Sequence, residues 1–369
     1  MGHSRPSTTE YRVLPWAEAL ALHGAEWLAI GREQNLNPSL LPDWTRIIVE
    51  TLTDARDVRV LVGMDGAQLV SLVPFHIRQD RISRIPVRVM EPISSVMSYH
   101  AELVTRGSPE ALLKELIQTR HEFSWDLLHL GNVLMDSSSA QAIGQVAEAE
   151  QLTLNFLPGD TSPYLHLETT AEKLLTTRKK TDRYNIRRHM KDFAAMPQAV
   201  ERWYGPADDM EALLEAILEI EAGSWKHAAG VAISAKPQEI QYVRRLLHWL
   251  GASGLLFVNV CFIAGEPVAY NLSYHWEGRL GSMKGTYVEK YAHVRVGHYT
   301  QDQQIFRFAD TGGKEFDFLG DAEPYKLNWS PTTRRHGNFF LYAPRGRGRW
   351  LGRAQRLRNR LRKADGVEL

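Results

Sequence analysis

The segment 264–305, AGEPVAYNLSYHWEGRLGSMKGTYVEKYAHVRVGHYTQDQQI, decides how the rest of the chain is read. Its runs VAYNLSYHW (268–276) and LGSMKGTYV (280–288) are rich in aromatic and β-branched residues and flank the turn EGR, which makes them two strands of a hairpin. GLLFVNVCF (254–262) is a third strand, joined across the turn AGEP. A helix is expected from about Gly297 to Thr311, then the strand KEFDFLG (314–320) and a closing strand in NFFLYA (338–343). Antiparallel strands followed by a helix and a further strand make the fold class mixed α/β (α+β). The loop ahead of the helix carries Arg295, Val296 and Gly297. A helix start offers unpaired N–H groups and the positive end of a dipole, so a phosphorylated carrier can sit there with Arg295 assisting. A plain turn with a solvated arginine accounts for the same residues.

Outward from this segment the same order of elements recurs. The first part of the chain reads as two helices, a hairpin at Asp65-Gly66, a strand VRVMEP (87–92), a helix capped by Ser108, the strand WDLLHLGNV (125–133), another helix and the strand LTLNF (152–156). In the second part a long helix is expected from Thr170 to Phe193, a helix over 208–222 and another over 236–250. The expected division is a first half 1–160, a second half 161–345 and a basic tail 346–369.

The 369 residues carry 44 basic and 43 acidic groups, but unevenly: eleven Lys or Arg and no Asp or Glu fall between Arg334 and Lys363, leaving 33 basic and 41 acidic groups before them. An acidic body is not the footprint of a DNA-binding domain. In the tail, Trp350, Ala354, Leu357 and Leu361 form one helical stripe among arginines. Such a helix either docks its stripe on the body or meets a membrane surface, a tRNA or a carrier protein. A single cysteine, Cys261, supplies neither a disulfide nor a thiolate metal cluster, and its apolar strand makes it a core thiol. The start MGHSRPSTTEYRVLP lacks an apolar core and no stretch is long enough to cross a bilayer, so a cytoplasmic protein is expected, peripheral at most to the inner face of the membrane. There is no G-x-G-x-x-G, P-loop, H-E-x-x-H, G-x-S-x-G or C-x-x-C. Dinucleotide, nucleotide-hydrolase, zinc-hydrolase and serine-esterase designs thus lose their main sequence support.

Candidate chemistry lies near the ends of elements. In FDFLGDAEPYKLNWS, Asp317 between aromatic residues can hold an acceptor amine and is the expected base, with Glu221 as the alternative, while Tyr325 can donate a hydrogen bond and Lys326 can steady negative charge; a capping Asp and a solvated Lys are the plainer account. In EIEAGSWKHAAG, Glu221 sits at a helix C-terminus, where the dipole disfavours a carboxylate, and Lys226 is either its ion-pair partner or a fellow site residue. His298 beside the loop is a general-base candidate or a satisfied cap. In RKKTDRYNIRRHMK, the residues Lys180, Arg183, Arg187 and Lys191 share one helical face, suited to a polyanion or to solvent.

Taken in order, SPYLHLE, RKKTDRYNIRRHMKDF, EAGSWKHAAGVAIS, AGEPVAYNLSY, MKGTYVEKYAHVRVGHYTQDQQI and KEFDFLGDAEPYKLNW resemble the acyltransferase domain of bacterial cellulose and exopolysaccharide biosynthesis proteins. That domain is a branch of the Gcn5-related N-acetyltransferase (GNAT) superfamily close to the Fem peptidyltransferases. The resemblance covers about 155–335, with a diverged equivalent from about 40 to 155. It implies two fused acetyltransferase-like halves, the first degenerate. It also implies site roles for Glu221, Trp225, Lys226, Lys284, Tyr287, Asp317, Tyr325 and Lys326, with Trp225 and Lys226 toward the substrate and Lys284, Tyr287 and the 295–297 loop toward the donor. The family's Ser-Pro-Gly before the helix is Arg295-Val296-Gly297 here, and the full Arg/Gln-x-x-Gly-x-Gly/Ala motif is missing. The implied function is acyl transfer from acetyl-CoA, another acyl-CoA or acyl carrier protein, without a metal, to an amine on an envelope, sugar or peptide precursor. A Fem-like transfer from aminoacyl-tRNA and a non-catalytic binding protein on the same fold are the alternatives.

Overall fold

A computed structural model describes residues 9–82 and 84–364, the last seven of them by backbone alone. Two compact units emerge: one gathers the chain up to Asp160 and again from Arg335, the other is Thr161–Arg334. The first contains β1 (Glu10–Pro15), α1 (Trp16–Glu33), α2 (Pro42–Leu52), β2 (Arg59–Asp65), β3 (Gln68–Ile82), β4 (Ile85–Pro92), β5 (Val104–Thr105), α3 (Pro109–Gln118), α4 (Arg120–Phe123), β6 (Leu127–Leu134), α5 (Ser138–Ala149) and the start of β7 (Thr153–His166). The second continues with α6 (Ala171–Thr177), α7 (Lys180–Ala194), β8 (Val200–Tyr204), α8 (Met210–Ala222), α9 (Trp225–Ala228), α10 (Pro237–Ala252), β9 (Leu256–Ile263), β10 (Glu266–Trp276), β11 (Arg279–Tyr287), α11 (Val296–Asp310), β12 (Glu315–Asp317) and α12 (Pro324–Trp329). The strand β13 (Thr333–Tyr342) and helix α13 (Gly346–Ala364) complete the chain. Among the described residues no helix is long and apolar enough to cross a membrane.

Each unit runs through a strand, helices, a three-strand antiparallel meander, a helix, and a strand parallel to the last of the meander. In both, that parallel pairing is brief. β4 meets β6 only at Val89–Leu127 and Met90–Leu128, and β11 meets β12 only from Arg279–Glu315 to Gly281–Asp317. Beyond these contacts β4 and β6 run on without pairing each other, and β12 ends at Asp317 while β11 continues to Tyr287, so each unit has a notch beside the last strand of its meander. Residues 335–345, assigned from the sequence to the second half, belong to the first unit because β13 pairs antiparallel with β6 from His336–Leu134 to Tyr342–Leu127.

The long helix expected over 170–193 is broken. Arg178 is extended (φ −72°, ψ 153°), and its guanidinium donates to the carbonyls of Trp329 (2.7 Å) and Asn328 while lying 4.7 Å from the Trp329 ring. Arg183 Nη1 takes up the freed carbonyls of Thr176 (3.1 Å) and Arg178 (2.8 Å).

The tail helix docks, but not by the expected stripe. A Cβ at Gly348 would collide with the Asp126 carbonyl, and one at Gly352 would lie 2.8 Å from Thr153 Oγ1, so these glycines let the helix press close beside a buried Leu351. Arg356 Nε donates to Thr153 Oγ1 at 2.8 Å. This rotation turns Trp350 (70% exposed) and Leu357 (59%) outward; the side chain of Leu361 lies outside the described residues.

Candidate active site

The site of the second unit starts from a bulge. Between Leu272–Lys284 and Ser273–Ser282 the β10–β11 register shifts, so Met283 is the extra residue, two positions after the last parallel pair at Gly281. A bulge there bends β11 as it leaves β12 and re-aims Lys284. Helix α11 is pinned behind the sheet by buried polar contacts: Gln304 Nε2 donates to the Asn271 carbonyl (2.6 Å) and its Oε1 accepts from Ser273 Oγ (2.6 Å). The helix start is thereby held at a fixed place relative to β10.

Lys284 meets Glu221, which is fully buried. The Glu221 carboxylate accepts from Tyr270 OH (2.7 Å) and the Ile233 amide (2.5 Å), and Lys284 Nζ stands 3.3 Å from its Oε1 while donating to the Val231 carbonyl at 3.1 Å. This explains a carboxylate at the end of α8: its charge is matched by a lysine and two donors rather than by the helix dipole. Tyr270, which sequence reasoning passed over, is the residue that secures it. Its position on the inward face of β10 was legible from strand alternation, but the contact 49 residues away was not.

Lys226 is the cation left over. It is half-buried, and its ammonium has no hydrogen-bond or ion-pair partner among the described residues. Burial, reinforced by Lys284, pulls its pKa down to about 8 against the opposing pull of Glu221 and Glu323. Trp225 beside it is exposed at the start of α9, which Ser224 caps through the Lys226 amide (3.3 Å).

The remaining expected residues divide between opening and scaffold. Lys326 is buried and donates to the carbonyls of Leu319 (2.8 Å) and Asp321 (3.0 Å), with Glu323 3.0 Å away, so it fastens the turn after β12 rather than awaiting a substrate. Asp317, expected as the base, is also committed: Oδ1 accepts from the Leu319 amide (2.8 Å) and Oδ2 from Arg334 Nη1 (2.7 Å), while Arg334 also grips Glu315 at 2.6 Å. Leu319 and Gly320 are both left-handed (φ 50° and 57°), and the Asp317 cap holds that strained turn. Tyr325 stands edge-on to His298, ring centroids 6.3 Å apart, and His298 stacks on His189 at 5.1 Å. His189 Nδ1 is 2.7 Å from Asp302, a buried pair that sequence reasoning missed. Burial first, then His189 and Arg295, lower the His298 pKa and keep its imidazole neutral.

At the expected donor loop, Arg295 is left-handed (φ 57°) and its Nη1 pairs with Asp192 at 2.9 Å, so its charge is already shared. Val296 is fully buried in the core, and a Cβ at Gly297 would lie 2.6 Å from the Tyr287 ring, which packs over the loop as a half-buried wall. Burial raises the Cys261 thiol pKa, as expected of a core cysteine. No group of three or more metal-ligating side chains occurs among the described residues.

A three-strand meander whose bulged last strand outruns a short parallel neighbour, with a helix pinned behind it, is the deciding geometry, and residues 180–327 match the acetyltransferase (GNAT) domain family. Residues 180–327 are thus a GNAT-type acetyltransferase domain, and the chain has the fold of a tandem GNAT protein. The tandem GNAT protein from the clavulanic acid biosynthesis pathway shares the fold (11% identity, 92% of this chain and 100% of that one, TM-score 0.53). So does FemX (11%, 90% and 97%, TM-score 0.58). A conserved protein of unknown function from Bacteroides thetaiotaomicron is similar too (15%, 91% and 100%, TM-score 0.55). At such identities the likeness to these structures is one of fold. Comparison with curated proteins finds no match.

Proposed function

We propose that the chain is an N-acyltransferase that moves an acyl group from a CoA or carrier-protein thioester to an amine on an envelope, sugar or peptide precursor. The observation carrying this reading is Lys226, a half-buried ammonium with no partner among the described residues that feels the charges of Lys284, Glu221 and Glu323, in a GNAT fold. β11 runs on past the end of β12, and its edge beyond Gly281 is where the amides of a pantetheine arm would pair. The acceptor nitrogen then attacks the thioester carbonyl: a C–N bond forms, the C–S bond breaks, and the amine proton leaves to a base as the thiolate departs. Lys226 is suited to the oxyanion that develops, and neutral His298 is the base. Glu221 and Lys284 hold the wall in place. Asp317 is reassigned to the turn.

Two substitutions separate these roles. Asp317→Asn, which keeps an acceptor for the Leu319 amide but drops one arm of the Arg334 pairing, should lower stability by about 1–2 kcal/mol and leave the single-turnover rate within threefold. His298→Gln should cut that rate at least tenfold, measured as thiol release from acetyl-CoA and from an acyl carrier thioester over a panel of amines. The reverse pattern would restore Asp317 as the base. A Fem-like reading draws support from the likeness to FemX and from the exposed residues Lys180, Arg187, Arg188 and Lys191 on α7; it requires transfer from aminoacyl-tRNA in the same assay.

The tail supports contact with an anionic lipid surface. Trp350 and Leu357 point outward, with Arg345, Arg347, Arg349, Arg353 and Arg356 around them and no acidic residue between. The full chain should co-sediment with vesicles containing phosphatidylglycerol and not with neutral phosphatidylcholine vesicles. Trp350→Ala with Leu357→Ala should reduce the bound fraction at least fivefold; equal binding to both vesicle types would end this reading.

A further inference from the structure

The first unit has a cavity of about 240 Å³ in the place where β4 and β6 part, the counterpart of the notch between β11 and β12. One water needs only about 10–15 Å³ of such space, so the cavity has room for something much larger. Its walls are mostly apolar, among them Trp27, Leu72, Pro74, Ile93, Leu130 and Ile143. Its charged lining is one-sided: Glu91 and Glu102 contribute, and no lysine or arginine does. A phosphate or carboxylate would therefore be desolvated against carboxylates with no cation to meet it.

The polar edge of the cavity is fixed by a chain of hydrogen bonds. Glu91 accepts from Arg78 Nε (2.7 Å), His76 Nε2 (3.2 Å) and His129 Nδ1 (3.1 Å). Burial pushes the Glu91 carboxyl up, but these three donors together outweigh it and hold the group ionised, well below the usual carboxylate range. An ionised carboxylate only accepts, so His129 donates through Nδ1, and in the neutral ring Nε2 is left as an acceptor. That edge of the ring lies beside Gly131, where a Cβ would come within 3.2 Å of it, and both residues line the cavity. The ring is held flat against Phe340, centroids 4.6 Å apart at 6°. Asn132, left-handed at φ 54°, locks the wall by donating its amide to Asn338 Oδ1 (3.2 Å) and accepting from the Ala101 amide (2.9 Å).

We propose that the first unit binds an amphipathic primary amine in this cavity, its apolar body against the Leu72–Leu130 walls and its nitrogen donating to His129 Nε2 near Glu91. The first half is then a ligand-binding unit in its own right. This is a claim about binding and does not depend on the acyl-transfer reading of the second unit.

Calorimetric titration of the full chain at pH 7 with hexylamine, hexanol and hexanoate tests it. Saturable hexylamine binding at least tenfold tighter than hexanoate is expected, with hexanol between them. His129→Asn retains a donor for Glu91 in place of Nδ1 but lacks Nε2, so it should weaken hexylamine at least fivefold at unchanged melting temperature. Ala101→Phe, which fills the cavity, should abolish binding. Absence of saturable hexylamine binding, equal binding of hexanoate, or hexylamine binding untouched by Ala101→Phe in a folded variant would each overturn the proposal. The three-ligand series on the unaltered chain decides the matter even where Ala101→Phe does not fold.

Discussion

Lys284→Met should lower the free energy of unfolding by about 3 kcal/mol, because it strips the lysine paired with the fully buried Glu221 carboxylate. Tyr270 and the Ile233 amide would still bond to Glu221, yet neither carries charge, so the carboxylate must stay ionised without compensation or take up a proton. Either route costs free energy, and urea denaturation of the variant measures it. The double variant Glu221→Gln with Lys284→Met removes both charges and should regain more than half of the loss. Were the single variant as stable as the parent, the pair would be a peripheral contact and the wall of the site would owe its position to something else.

Lys226→Met should reduce acyl transfer at least a hundredfold, about 2.7 kcal/mol of transition-state stabilisation, with the fold intact. A half-buried ammonium with no partner among the described residues is held at a cost in stability, so methionine should leave the melting temperature unchanged or higher. The pH dependence provides a second readout. With its pKa drawn down to about 8, Lys226 is charged below that pH and loses its charge as pH rises through it, so the transfer rate should fall on an alkaline limb centred near pH 8. Lys226→Arg stays charged and should move that limb upward. Stability has the opposite sign: between about pH 8 and the ordinary lysine value the unfolded chain binds a proton that the native protein has released, so native stability rises with pH in that window. Lys226→Met should abolish this rise. A variant with the parental rate and pH profile would remove Lys226 from the chemistry.

The structure also shows why some residues could be read from the sequence and others could not. Strands such as VAYNLSYHW and helices such as 237–252 follow from alternation and periodicity, which are local properties of side-chain direction, and the structure places them within a few residues of expectation. The break at Arg178 escaped notice because nothing local interrupts the helical pattern; the guanidinium is drawn away by carbonyls of residues 150 positions later. Gly348 and Gly352 were visible as glycines, but which face of the tail they press against the body, and so which face Trp350 shows to solvent, depended on the positions of Asp126 and Thr153.

The candidate site divides in the same way. That Glu221, Lys226, Lys284 and His298 deserve attention was legible from ionisable residues near the ends of elements and from the ordered motifs of the second half. Their tasks were not, because a titratable group takes its role from its partners, and those partners are distant in sequence. Asp317 was read as a base until Arg334 and the Leu319 amide were seen to occupy it, and Lys226 stood out only once Glu221 was found satisfied by Tyr270, Ile233 and Lys284. The sequence by itself determined the element types, the mixed fold class and the set of candidate ionisable residues, all of which rest on local pattern. Tertiary structure alone decided which of those charges are neutralised, which remain open, and where the parting of parallel strands makes a cavity, since long-range pairing governs each of these.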